Sequence, residues 1–285
     1  MKEAIKKSQI LIEALPYIKK FFGKVVVIKY GGAAVDEKGI ERGVLEDIMF
    51  MNYAGMHPIV VHGGGPFISK MMKKAGLEPK FINGRRYTDD KTVRIIDKAL
   101  YIINRKIVGE LKGMGARVFG LSGSENDLIK VKKLHLAAGD LGFVGEVTSV
   151  DATVVKRLIN DNIVPVIYPL GRGRDGELYN VNADDVASAI AAKLKCEKFV
   201  LLTNVMGIMK DKNDPKTLYH TLKSSDVKRL IKNKVIASGM IPKAEACVRA
   251  IKGGVKKAHI LDAGIEHAML LEIFTDTGIG TEIVK

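Results

Sequence analysis

Residues 24–32 read Lys-Val-Val-Val-Ile-Lys-Tyr-Gly-Gly, and that stretch decides the fold. Val25 to Ile28 are all β-branched, with no polar residue alternating among them. A half-buried strand alternates; an unbroken run of this kind suits a strand covered on both faces, the setting of a parallel sheet between helical layers. Lys29 then sits near the tip of a buried strand, where an ammonium group is costly unless an anion meets it. Gly31 and Gly32 let the following backbone approach a ligand closely.

Outward from this strand the two periodicities alternate. Upstream, residues 4–22 place Leu11, Ala14, Leu15, Ile18, Phe21 and Phe22 at helical spacing with lysines opposite. Pro16 falls inside that pattern and is expected to kink or split the helix. Downstream, helices are predicted over 38–55, 66–76, 90–112, 183–194, 225–233, 241–252 and 267–274, and one over 151–162 capped by Asp151. Strands are predicted over 58–61, 116–121, 128–132, 143–148, 163–170, 198–203 and 257–262, with a glycine-rich hairpin over 171–178. Repeated β-α-β units imply an α/β three-layer αβα sandwich with a mostly parallel central sheet. The hairpin before Asn180 is the expected seam between residues 1–179 and residues 180–285.

Composition narrows the function. The 285 residues are 47% apolar and 27% charged, which is globular and excludes a disordered tail. Cys196 and Cys247 are the only cysteines, too few for a disulfide framework or a four-cysteine metal site. No apolar run reaches the ~18–20 residues of a membrane helix, and the N-terminus lacks a secretory pattern, so a cytoplasmic protein without a membrane partner is expected. The formal charge is +14, which suits anionic partners. From Lys223 to Lys257 ten Lys/Arg face Asp226 and Glu245, leaving +8 in a segment without an aromatic residue. Single-stranded nucleic acid is gripped by aromatics interleaved with cations, so the charge points to a phosphate-bearing small molecule rather than nucleic acid.

Ligands of a parallel α/β sheet bind beyond the carboxyl ends of its strands. Lys29-Tyr30-Gly31-Gly32 closes one strand, and His62-Gly63-Gly64-Gly65 closes the next before a helix. One glycine pair is a tight turn; two on neighbouring strands, one carrying a lysine, suit an anion. The Walker pattern and the G-x-S-x-G elbow are absent, and Gly171 to Gly176 fits G-x-G-x-x-G only within a hairpin. The six histidines show no H-E-x-x-H spacing, so no protein metal site is expected. Three further segments stand out. Asn83-Gly84-Arg85-Arg86-Tyr87-Thr88-Asp89 carries an arginine fork suited to a carboxylate, or to a solvated hairpin. Asn180-Val-Asn182-Ala-Asp184-Asp185 has more polar residues than a helix cap needs. Ser238-Gly239-Met240-Ile241-Pro242-Lys243 puts a lysine at the positive end of a helix, where a compensating anion is expected.

In order along the chain, EALPYIKKFFGK, VIKYGG, VVHGGGP, NGRRYTD, NVNAD, LLTNVMGI, SGMIPK and LLEIFTDTGIGT resemble the motifs of the amino acid kinase family. The resemblance implies ATP-dependent phosphorylation of the side-chain carboxylate of N-acetyl-L-glutamate, with the amino acid on the N-terminal domain and the nucleotide on the C-terminal one. It implies that Lys29 and Lys243 flank the migrating phosphoryl group and that Asp184 holds both. Gly64, Gly65, Arg86, Asn180 and Asn182 would bind the amino acid. Gly31, Gly32, the loop Asn204, Val205, Met206, Gly207, Ile208 and Met209, and the segment Val235, Ile236 and Ala237 would bind ATP, with Mg²⁺ carried on its oxygens. Tyr17, His259, Glu272 and Gly278 resemble an arginine-inhibition site, and the N-terminal helix over 3–22 resembles one that links dimers into a homohexamer. The alternative to that exchange is an arm packed on its own sheet. Asn204 stands where relatives usually carry Asp, and Ala33 where Ser is commoner, so altered affinity is expected. A sister kinase for carrier-protein-linked aminoadipate or glutamate shares these motifs. A non-catalytic basic module would account for the charge but not for two lysines at ligand-facing turns.

Overall fold

Val25–Tyr30 forms the predicted strand and lies inside an eight-stranded sheet. The structure is a computed structural model that describes residues 1–31, 35–36, 39–137, 139–275 and 278–285. Gly32 and Ala33, singled out from the sequence, lie outside the described residues. Across the sheet the order is Thr221–Lys223, Thr281–Val284, Lys257–Asp262, Lys198–Thr203, Val25–Tyr30, His57–His62, Val164–Tyr168 and Val118–Ser122. Thr281–Val284 runs antiparallel to Lys257–Asp262; the other pairings in the sheet are parallel.

The described helices are α1 (Lys2–Phe21), α2 (Arg42–Tyr53), α3 (Gly65–Lys74), α4 (Asp90–Gly113), α5 (Thr153–Asn160), α6 (Ala183–Leu194), α7 (Ser224–Lys232), α8 (Met240–Lys252) and α9 (Ala268–Ile273). Successive strand residues face opposite layers. Val27 packs with Ile59, Val61 and Leu201 against Val186 and Ile190 of α6 and Cys247 of α8. Val26 and Ile28 pack with Val60, Val166 and Val200 against Ile48 of α2 and Ile107 of α4. Both faces of the sheet are thus covered, which is why the first strand needed no polar alternation. The αβα sandwich with a mostly parallel sheet is the fold that the sequence predicts.

Several local expectations are corrected. α1 runs unbroken through Pro16. The ring's fixed φ suits a helix, and the missing N–H removes one intrahelical bond of many. α2 begins at Arg42, because Gly39–Ile40 pairs as a short strand with Val35–Asp36. Asp151 lies one residue before the cap of α5 and still accepts the Thr153 N–H at 2.9 Å. The predicted strands over 128–132 and 143–148 are longer, Ile129–Leu136 and Gly139–Val150, and they leave the main sheet. They pair antiparallel with each other and close a small barrel with Leu170–Gly173 and Leu178–Asn180. α1 packs on its own chain only through its end, where Phe21 is buried and Tyr17 meets Phe274 with ring centroids 5.7 Å apart; Ile10, Leu11, Ile12 and Leu15 are exposed.

Candidate active site

The carboxyl ends of Val25–Tyr30 and His57–His62 lie side by side, with Tyr30 opposite His62. Lys29 is buried at the first of these ends, and its Nζ lies 2.9 Å from Asp184 Oδ1. Lys243 in the first turn of α8 reaches Asp184 Oδ2 at 3.2 Å. Asp184 is itself buried in the first turn of α6, where Asn182 caps the helix by accepting the N–H groups of Asp184 and Asp185. Burial alone would raise the Asp184 pKa; the two ammonium groups outweigh it and hold the carboxyl below its ordinary range. A Cβ on Gly31 would stand 3.0 Å from Lys29 Nζ, so the absence of a side chain there leaves room for the ammonium group.

Beside this cluster the His62-Gly63-Gly64-Gly65 turn opens α3. A Cβ on Gly64 would meet Ile103 Cδ1 of α4 at 2.4 Å, so the turn rests directly on that helix. A cavity of about 210 Å³ lies between the turn, the Phe81–Arg86 hairpin and the start of α6. Gly64, Gly65, Arg86, Asn180 and Asn182 all line it. Arg86 is buried; its guanidinium donates to Gly65 O at 3.1 Å and Ser69 Oγ at 2.9 Å and stacks over Phe81. Among the described residues no carboxylate pairs with it, and burial lowers its pKa. A buried cation without a counter-charge is a site for an anionic group. Asn180 Nδ2 donates to Thr88 Oγ1 at 3.3 Å.

The loop Asn204–Met209 leaves the strand Lys198–Thr203. Asn204 is exposed, Val205, Met206 and Met209 are half-buried, and Ile208 turns into the core, with its N–H given to Thr281 Oγ1 at 2.8 Å. Gly207 has φ +154°, and a Cβ there would meet Thr281 Oγ1 at 2.5 Å. Of the second segment, Val235 is half-buried, Ile236 is buried and Ala237 is exposed. Ile208 and Ile236 can therefore offer a ligand only backbone.

Tyr17, Glu272 and Gly278 line a second cavity, of about 160 Å³. His259 Nδ1 lies 2.7 Å from Glu272 Oε1, and Glu272 Oε2 accepts the Ile279 N–H at 2.9 Å. Gly278 has φ +65°, and a Cβ on it would stand 2.7 Å from Glu272 Oε2. Lys198, not singled out from the sequence, completes the group 3.3 Å from His259 Nε2. Burial lowers the His259 pKa; its Nε2 faces the Lys198 ammonium and its Nδ1 faces the Glu272 carboxylate. Burial raises the Glu272 pKa, but the close His259 ring and the Ile279 N–H, among other favourable contacts, bring it below the ordinary value.

The sequence matches the amino acid kinase family over residues 24–262. It is 47% identical over 282 residues to the acetylglutamate kinase of Desulforamulus reducens, covering 99% of this chain and 98% of that protein. The structure resembles N-acetylglutamate synthase from Neisseria gonorrhoeae complexed with coenzyme A and L-arginine. There the TM-score is 0.83 at 25% identity, over 96% of this chain and 64% of the synthase chain. Carbamate kinase from Giardia lamblia bound to AMP-PNP shares the fold, with a TM-score of 0.67 at 17% identity over 92% of this chain and 99% of that one. From sequence match and fold together, the chain belongs to the amino acid kinase family, in its acetylglutamate kinase branch.

Proposed function

We propose that the chain transfers the γ-phosphoryl group of ATP to the side-chain carboxylate of N-acetyl-L-glutamate, as a cytoplasmic enzyme of amino-acid biosynthesis. The supporting observation is Asp184 holding one lysine from each side of the expected seam, 2.9 and 3.2 Å away, at the mouth of paired glycine turns. A carboxylate is already a nucleophile, so the protein's task is positioning and charge neutralisation. Arg86 takes the α-carboxylate, Asn180 and Asn182 face the acetamido group, and the N–H groups of Gly64 and Gly65 receive oxygens of the reacting carboxylate and phosphoryl group. Lys29 and Lys243 neutralise the charge that develops between attacking and leaving oxygens. Residues 1–179 hold most of the amino acid, with Asn180 and Asn182 joining from across the seam, and the nucleotide rests on 204–209 and 235–237 of residues 180–285, its phosphates reaching Gly31 and Gly32. Both Asp184 oxygens are engaged by lysines, so Mg²⁺ would be carried by the nucleotide's own oxygens and would supply further neutralisation. The test is hydroxylamine trapping with Mg-ATP and N-acetyl-L-glutamate. Hydroxamate is expected; its absence, with product from carrier-linked aminoadipate instead, would reassign the substrate.

We also propose that the second cavity binds arginine as a feedback inhibitor. Glu197, Glu272 and Glu282 line it together with Lys20, Lys198 and Lys257, charges of both signs that suit an amino acid with a cationic side chain. Its wall includes Tyr17 of α1, and the exposed apolar face of α1 suits exchange between copies in a homohexamer built as a trimer of dimers. Deleting residues 1–22 is expected to reduce the particle to dimers by light scattering and to weaken inhibition. An unchanged oligomer would count against the exchange.

A further inference from the structure

His62 ends its strand fully buried, and the proposed mechanism gives it no part. Its ring lies in a chain of buried contacts that starts on α4. Asn104 Nδ2 donates to Val166 O at 2.8 Å, and the same nitrogen lies 3.2 Å from His62 Nε2. A carbonyl can only accept, so the NH₂ end of Asn104 must be the end that faces Val166 and His62. The Asn104 Oδ1 points the other way, toward Gly120, where a Cβ would stand 2.1 Å from it; glycine at 120 is what admits the amide. With Asn104 donating, His62 Nε2 is an acceptor, and the imidazole proton is on Nδ1. His62 Nδ1 lies 3.0 Å from Gly63 O, so it donates there. Burial lowers the His62 pKa to about 4, which keeps one proton on the ring at neutral pH.

The peptide between Gly63 and Gly64 is planar and trans, so its carbonyl and the Gly64 N–H point in opposite directions. Tying the Gly63 carbonyl to the buried ring turns the Gly64 N–H away from that ring, in a turn whose three glycines border the cavity. Glycine at 63 and 64 leaves this peptide otherwise free to rotate. We infer that His62, set in its Nδ1–H tautomer by Asn104, is a positioning residue that aims the Gly64 N–H at the reacting oxygens. The inference rests on the proposed role of Gly64, and it adds two residues, His62 and Asn104, that touch no substrate.

The experiment compares His62→Asn and His62→Gln in the full-length protein, with kcat and both KM values from the hydroxamate assay. The Asn amide N–H falls where Nδ1–H stood; the Gln amide falls nearer Nε2 and leaves Gly63 O unpaired. His62→Gln is expected to lower kcat by about 10²-fold, the loss of one transition-state donor, with both KM values within about threefold. His62→Asn is expected to recover at least a tenth of the wild-type kcat. Asn104→Asp is the independent arm: a carboxylate draws the imidazole proton to Nε2, so kcat falls as in His62→Gln, and in the His62→Asn background it falls no further. Wild-type kcat in His62→Gln, or equal losses in the Asn and Gln variants, would overturn the inference. An inactive wild type would instead reject the proposed reaction.

Discussion

Lys29→Ala is expected to lower kcat by roughly 10²–10³ with little change in either KM, as removal of one donor to developing charge does. Val25 to Ile28 fill both faces of the sheet, which fixes the strand's tip and leaves Lys29 largely buried there. Its Nζ meets Asp184 at 2.9 Å, beside Gly31, whose missing side chain the ammonium group exploits. Deleting the lysine leaves Lys243 on the second carboxylate oxygen, so the site persists with half its positive charge. Lys29→Arg should not restore turnover. A guanidinium is wider than an ammonium group, and backbone at Gly31 and Gly63 closes the space where it would spread. The measurement is hydroxamate production at saturating substrates. Near wild-type turnover in Lys29→Ala or Lys243→Ala would remove both lysines from the mechanism.

The sequence reveals what local chemistry controls. An unbroken β-branched run predicts a doubly covered strand, which the structure has, and the glycines after the His57–His62 strand tip predict a turn, which opens α3. The lysine at a buried strand end already calls for an anion, and the structure supplies Asp184. What the residues alone do not disclose is which distant groups meet. The pairing of Lys29 with Lys243 through Asp184 comes from a sheet order that no local periodicity encodes; resemblance to a family, not spacing, pointed to it. Strands Ile129–Leu136 and Gly139–Val150 look like further sheet strands until their pairing sends them into a separate barrel. Lys198 carries no signal in the sequence beyond opening a predicted strand, yet the fold buries it beside Phe21 of α1 and His259. His62 reads as part of a glycine turn; its partner Asn104 lies on a helix face whose spacing looks purely apolar around it.

Asp184→Asn is expected to lower the melting temperature by roughly 6–12 °C. Removing the charged partner of a buried pair costs on the order of 3 kcal/mol or more, and 1 kcal/mol shifts a chain of this size by about 2–4 °C. Two lysines then face each other across a neutral amide, one of them largely buried. The pH dependence has a definite sign. The folded carboxyl titrates below its unfolded value of about 3.9, so its contribution is complete above that value and is lost as pH falls through the folded pKa. The gap between wild type and variant should therefore be constant near neutrality and should close below about pH 4. Nucleotide gives a second readout. Its phosphates bring negative charge to the same two ammonium groups, so saturating ATP should raise the variant's melting temperature more than that of the wild type. Equal ATP-induced shifts would mean that the lysines do not receive the phosphates, and a melting temperature insensitive to the substitution would mean that the three side chains do not form one electrostatic unit.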